Sequence, residues 1–382
     1  MRIGSADRGP MTIGQKLWQV SWSLVLFLII LTGIGCAMLY SAGDASWDPW
    51  ARRQLIRFGI GLCLMIVVAV TDIRRWLRHA YTLYFLVLGL LVAVEMKGVI
   101  GMGAQRWIDL GVVQLQPSEI MKITLVLALA RFFHGASLEE IGRPTFLIIP
   151  LLLVAAPVVL VLRQPDLGTA IMLIMTAGVI FFLAGVRAWK FGLVFGAILA
   201  AMPLAWTLLH GYQKKRILTF LNPESDPLGA GYHILQSKIA LGSGGVFGKG
   251  YLSGTQAHLN FLPEKQTDFI FTMLAEEFGM VGGLILLGIY AIVLIYGFAI
   301  SLRVHNQFGR LVTLGITGTF FFYVFINIAM VMGLVPVVGV PLPLVSYGGT
   351  AMLSLMIGFG FIICAYIHRD VRVGRHGNGG DD

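Results

Sequence analysis

Residues 144–185 read PTFLIIPLLLVAAPVVLVLRQPDLGTAIMLIMTAGVIFFLAG: two uncharged runs of 19 residues, 144–162 and 167–185, joined by Arg163, Gln164, Pro165 and Asp166. A helix needs roughly 20 apolar residues to cross the hydrocarbon of a bilayer. Each run is therefore one crossing, and the four residues between them form a turn at the membrane surface. Backbone inside a bilayer must satisfy its own hydrogen bonds, and the runs carry no period-two alternation, so they are helices rather than strands of a barrel.

Moving outward from this pair, similar apolar stretches lie near 18–41, 55–71, 77–96, 117–133, 189–209, 268–301, 309–333 and 345–367. The expected architecture is all-α: a polytopic membrane bundle of about ten transmembrane helices in a single integral-membrane domain, 1–382. An N-terminal tail, 1–17, precedes it, a large loop, 210–267, separates helices 7 and 8, and a C-terminal tail, 368–382, follows it. Composition agrees, with 57% hydrophobic and 12% charged residues against about 25% charged in an ordinary soluble chain. A water-soluble globule is excluded, and the mean hydropathy of +0.83 excludes disorder, which needs low hydrophobicity.

Ten crossings place both termini on one side. Fifteen Lys and Arg flank the spans on that side, against six in the short connections opposite, and the excess marks the cytoplasm. The 210–267 loop is then external. All eight tryptophans lie near span ends, as in an interfacial aromatic belt. The first span is longer than a signal-peptide core and lacks a clear cleavage site, so it reads as an uncleaved anchor. Cys36, Cys63 and Cys364 fall within spans and form no disulfide framework. The net charge of +9 resides mostly in the cytoplasmic flanks, which points to anionic membrane lipids rather than nucleic acid. The residues after Arg375 read as a frayed tail.

Ionisable groups inside spans are costly and are functional candidates by default. Glu119 and Lys122, behind Gln116, Pro117 and Ser118, share one helical face at i, i+3 spacing. Either they neutralise each other at a helix start that Pro117 opens and Ser118 helps to cap, or Lys122 offers a cation to an anion in an external cavity. Asp268 is either an N-cap of the eighth span or a reactive carboxylate. Glu276 and Glu277 lie about 12 Å of helix rise deeper than Asp268 and need partners from neighbouring helices, Lys122 among the candidates. The last external segment, 334–349, carries Pro336, Pro341, Pro343, Ser346 and Tyr347 without a charge. Such proline-broken backbone is either packed loop or the lining of a cleft.

Other chemistries lose support. The glycine-rich stretch around Lys249 departs from a P-loop, with Ser243 where Gly is required and Gly250 where Ser or Thr is required. The histidines form no metal-type pair, and no G-x-S-x-G elbow occurs.

Five runs give the chain a resemblance: GAQRWIDLGVVQLQPSEIMK (103–122), QPDLGTA (164–170), RILTFLNPESDPLGAGYHILQSKIALGSGGVFGKG (216–250), LPEKQTDFIFTMLAEE (262–277) and NIAMVMGLVPVVGVPLPLVSYGG (327–349). Together they resemble the SEDS family (shape, elongation, division and sporulation) of bacterial cell-wall proteins. The wording YHILQSKIALGSGG and TQAHLNFLPE resembles its elongation branch more than its division branch.

The resemblance implies a peptidoglycan glycosyltransferase of the inner membrane that polymerises lipid II on the external face during elongation, beside a class B penicillin-binding protein that crosslinks the strand. It implies Asp268 as the catalytic carboxylate, with Lys122 in the same cavity. Asp268 is then the general base for attack of an acceptor GlcNAc 4-hydroxyl on lipid-pyrophosphate-linked MurNAc. The pyrophosphate calls for cations on that side, which Arg53, Arg106, Arg163, Lys238 and Lys249 provide with Lys122. The matching runs add Trp107, Gln116, Ser118, Glu119, Gln164, Asp166, Glu264, Ser346 and Tyr347 as substrate contacts. They name no cofactor and leave a divalent cation at the pyrophosphate open. The competing class is a lipid II flippase or another precursor transporter. Transporters place ionisable groups near the midplane, whereas those here gather at the outer boundary. A scaffold, the third class, would not need Asp268.

Overall fold

The computed structural model describes residues 11–101, 104–109, 114–208, 211–222, 230–255, 264–371 and 374. Arg2, Arg8, the tail after Arg375 and most of the TQAHLNFLPE run lie outside them.

Each of the ten expected apolar stretches contains a helix, although the helix in 18–41 starts at Trp22 and that in 345–367 at Gly349. In chain order the helices are α1 Ile13–Trp18, α2 Trp22–Ala42, α3 Trp50–Val70, α4 Ile73–Lys97, α5 Pro117–Phe133, α6 Leu138–Gly142 and α7 Ile148–Arg163. They continue as α8 Leu167–Ala184, α9 Ala188–Leu208, α10 Gly211–Leu221, α11 Ala230–Ser243, α12 Ile270–Arg303, α13 Gln307–Val331 and α14 Gly349–Ile367. Among the described residues, eight are long and apolar enough to cross a membrane: α2, α3, α4, α7 with the 3-10 turn before it, α8, α12, α13 and α14. The remaining two expected spans are α5, 17 residues long, and α9, whose apolar part is Ala188–Pro203.

The short α5 is the centre of the bundle. From Met121 to Ala130 every residue is buried, in contact with α4, α7, α8, α13 and α14. A helix enclosed on all sides has no polar face, so its Glu119 and Lys122 must find partners among its neighbours.

Three features differ from the sequence reading. A three-stranded antiparallel sheet, β1 Val99–Gly101, β2 Ala104–Asp109 and β3 Gln114–Leu115, stands between α4 and α5. Among the described residues, the large connection contains the helices α10 and α11. The eighth span starts at Ile270 rather than at Asp268, and it is broken at Gly279, whose φ is 66° and ψ −163°.

The glycine-rich stretch repairs that break. The amides of Lys249 and Gly250 donate to the carbonyls of Glu276 and Glu277, both at 3.0 Å, while the amides of Met280 and Val281 donate to Gly245 and Val246. Orphaned backbone groups at a helix break must be satisfied by neighbours when buried. A Cβ on Gly248 would lie 2.1 Å from the Glu277 carbonyl oxygen, so only glycine allows this approach. The stretch is a backbone splint.

Candidate active site

The first cluster is built on α5. Pro117 occupies the first helical turn and Gln116 the N-cap position. Ser118 is inside the helix and buried rather than capping it. Lys122 Nζ donates to Glu119 Oε1 at 2.7 Å, and both side chains are buried. Lys122 also donates to the hydroxyl of Tyr323, which donates to Glu119 Oε2, closing a ring of three side chains. The ammonium lies 4.3 Å from the centroid of the tyrosine ring. Burying an ion pair costs desolvation that only good geometry and further hydrogen bonds offset, and Tyr323 supplies both.

The second cluster surrounds Asp268. Residues 264–269 form turns before α12, and Phe269 is the N-cap. Asp268 is therefore not the helix cap. Its backbone carbonyl accepts from Asn327 Nδ2 at 3.0 Å, and the same amide donates to Val340 at 2.8 Å. Among the described residues no donor reaches its carboxylate. Oδ2 faces the segment 334–349, expected from the sequence to be external, where a Cβ on Gly339 would stand 3.6 Å away. Burial raises the Asp268 pKa to about 6, with the Glu264 charge adding to the rise. Glu264 Oε2 accepts from Gln266 Nε2 and Thr267 Oγ1, both at 3.2 Å.

Segment 334–349 is pinned against this turn. Ser346 Oγ accepts from the Leu342 amide at 2.8 Å and donates to the Thr267 carbonyl, and the Tyr347 amide donates to Gln266 at 2.8 Å. Gln54 Nε2 donates to the Ser346 carbonyl at 3.0 Å. The guanidinium of Arg57 lies 4.7 Å from the centroid of the Tyr347 ring.

The third cluster is the turn after α7. Asp166 caps α8, accepting from the Thr169 amide at 3.1 Å and its hydroxyl at 2.9 Å. Gln116 Nε2 donates to Asp166 Oδ2 at 3.3 Å. Arg106, on β2, donates to the carbonyls of Gln164 and Pro165 and lies 3.9 Å from Asp166. Gln164 is buried and donates to Leu91 at 3.1 Å. A Cβ on Gly168 would lie 2.5 Å from the Val338 carbonyl oxygen, so this turn and segment 334–349 touch.

Helix α13 joins the first two clusters. Tyr323 and Asn327 are one turn apart, about 6 Å of rise; the first holds Lys122 and Glu119, the second the Asp268 backbone. With Val338 against Gly168 and Gly339 beside Asp268, segment 334–349 connects all three. The sequence reading missed Tyr323 and Asn327, although two hydrogen-bonding side chains at i, i+4 in the apolar half of this span, after Thr319, were a visible signal.

Other expected site residues are placed differently. Lys249 donates to Glu276 Oε1 at 2.7 Å and to Thr255 at 2.9 Å, so Glu276 is partnered by Lys249 and not by Lys122. Glu277 accepts from Ser41. Arg53 is exposed on α3, and Lys238 runs beside Gly333 on α11. Arg163 lies 3.6 Å from Glu95 on an exposed surface. Trp107 is half-buried on β2, paired with Val99. Among the described residues no three His, Cys, Asp or Glu side chains converge as a metal site.

Residues 17–371 match the family model "Cell cycle protein" of FtsW, RodA and SpoVE. The chain is 45% identical to the peptidoglycan glycosyltransferase MrdB of Escherichia coli K12, over 91% of this chain and 93% of that one. It is 32% identical to the peptidoglycan glycosyltransferase RodA of Treponema pallidum, over 89% and 96%. A structure describing coordination of polymerization and crosslinking by a peptidoglycan synthase complex superposes with a TM-score of 0.80 at 33% identity, covering 92% of this chain and 98% of that one. The rod shape determining protein RodA of Thermus thermophilus gives 0.69 at 30%, covering 92% and 97%. The chain belongs to the SEDS family of peptidoglycan glycosyltransferases.

Proposed function

We propose that the protein polymerises lipid II into glycan strands during cell elongation, on the external face of the inner membrane, with both termini cytoplasmic. Asp268 is the general base. It takes the proton of the GlcNAc 4-hydroxyl of the acceptor as that oxygen attacks C1 of the lipid-linked MurNAc. The new C1–O4 bond forms with inversion while the bond from C1 to the pyrophosphate oxygen breaks, and the polyprenyl pyrophosphate leaves. The observation that carries this reading is the Asp268 carboxylate itself: half-buried, without a donor among the described residues, and raised to about 6. A base poised near the operating pH contributes about 10² to 10⁴ in rate.

The leaving pyrophosphate develops charge, which fixed cations stabilise. Lys122 and the turn that carries the base are held one helical turn apart on α13, by Tyr323 and Asn327, with Glu119 and Tyr323 fixing the ammonium. Arg53, Arg106, Lys238 and Trp107 are assigned as substrate contacts, with Arg163, paired to Glu95, at the exposed rim outside them, and Gln116, Ser118, Gln164 and Asp166 as wall residues. Glu264, Ser346 and Tyr347 fix the turn that carries the base. A hard divalent cation binds through one or two carboxylates plus substrate phosphates; Asp268 and Glu264 are the pair that would hold one.

The likeness to a synthase complex that couples polymerisation to crosslinking supports a class B penicillin-binding protein as partner. The test is lipid II polymerisation by the purified complex, wild type against Asp268→Asn. The expected result is a loss of at least about 100-fold with an unchanged melting temperature. Wild-type polymer from the variant overturns the general-base role, and lipid flipping without polymer from the wild type favours the transporter.

A further inference from the structure

At the end of the bundle opposite Asp268, a pocket of about 530 Å³ is lined by Trp18, Gln19, Ser21, Trp22, Ser23, Tyr296, Arg303, Tyr366 and Arg369. It joins the start of α2, the end of α12 and the end of α14. Two arginines face one concave space, with two serine hydroxyls and two tyrosine rings around it.

Three other cations on this face are taken up by backbone carbonyls. Lys16 donates to Val70 at 2.9 Å, Arg131 to Arg78 at 2.6 Å and Lys190 to Gly142 at 2.9 Å. Arg303 has no ion-pair or hydrogen-bond partner among the described residues. Arg369 gives one N–H to the Tyr366 carbonyl at 3.0 Å, stacks over the Tyr366 ring and is 3.8 Å from Asp370, which leaves other donors of its fork available. Planar guanidinium pairs match phosphate geometry.

The surroundings select an amphiphile. Trp22 and Leu26 on α2, and Phe298 and Leu302 on α12, are exposed apolar side chains that run from the pocket along the membrane span. Phe27 and Tyr296 are in ring contact at 5.8 Å between those helices. A phosphate held by the arginines would have its acyl chains lie along this surface. We propose that the pocket binds an anionic phospholipid of the leaflet opposite the catalytic face, headgroup phosphate on Arg303 and Arg369.

Native mass spectrometry of the purified full chain tests this, titrating phosphatidylglycerol against phosphatidylcholine. Arg303→Gln and Arg369→Gln should each weaken phosphatidylglycerol binding about fivefold, the contribution of one cation near an anionic surface. Arg310→Gln, a cation on the same face outside the pocket, should leave it unchanged. Ser23→Glu sets a carboxylate on the pocket wall without removing an arginine, and should weaken binding even where an arginine variant folds poorly. Equal binding by the double arginine variant, or equal binding of phosphatidylcholine, overturns the proposal. Competition by inorganic phosphate at the same concentration as the lipid also overturns it, because it would make the pocket a soluble-anion site.

Discussion

Asp268 and Glu276 are carboxylates eight residues apart at one end of the same span, and the fold treats them oppositely. Glu276 is fully buried yet accepts from Lys249, from the Thr255 amide and from the Thr255 hydroxyl. Asp268 is less buried, and its backbone carbonyl accepts from Asn327, but among the described residues no donor reaches its carboxylate. Glu276 is engaged by the donors around it, whereas Asp268, denied donors at a poorly solvated boundary, has its pKa raised towards neutral pH. Burial alone therefore does not single out the proposed base; the distribution of donors does.

The contrast is broken most strongly by removing the donor from the satisfied acid. Lys249→Met should cost about 3–5 kcal/mol, because it leaves Glu276 buried without its cation. The double variant Lys249→Met with Glu276→Gln should recover most of that loss. Thermal unfolding in one detergent measures both. A single variant as stable as wild type would mean that the splint and not the ion pair holds this region.

A smaller loss is expected at the other buried Lys–Glu pair, also 2.7 Å long. Tyr323→Phe keeps the ring over Lys122 but removes the hydroxyl that joins both charges. Hydrogen bonds to charged groups contribute about 1.5–3 kcal/mol, so the melting temperature should fall by the corresponding amount. Polymerisation should fall with it, since Lys122 loses its fixed position. Full stability and activity in Tyr323→Phe would remove the tyrosine from the site.

The pH profile sharpens the same contrast in activity. Below a pKa of about 6 Asp268 is protonated and cannot accept a proton. The rate should rise tenfold per pH unit up to about 6 and level off above it. Glu264→Gln removes the second cause of the rise, so the acid limb should move to lower pH. A limb that stays in place assigns the shift to burial alone.

How much of this was legible in the sequence depended on whether the signal was local. The ten apolar stretches are local, and each contains a helix. The Glu119–Lys122 pair is also local, being fixed by i, i+3 spacing on one helix. The partner of Glu276 was not legible, because Lys249 reaches it only through a loop that docks on the break at Gly279, and that docking is pairing between distant backbones. The sheet at 99–115 was missed for a related reason: its strands are two to six residues long, too short to show an alternating pattern. Asp268 was visible as a carboxylate, but a cap and a base look alike until the start of the helix is fixed, and that start depends on Asn327 and Ser346 in other segments.

The smallest expected effect separates two arginines that the sequence ranked together. Arg163 pairs with Glu95 at 3.6 Å, with side chains 66% and 35% exposed, and exposed pairs of this kind contribute about 0–1 kcal/mol. Arg106 instead ties down two carbonyls of the turn that leads into Asp166. Arg163→Ala should therefore leave stability and polymerisation within about twofold, a difference of roughly 0.4 kcal/mol, whereas Arg106→Ala should loosen the turn and lower both. Loss of polymerisation in Arg163→Ala without loss of stability would place that guanidinium on the substrate. The set of cations acting on the pyrophosphate would then extend past the buried ring of Lys122 to the exposed rim.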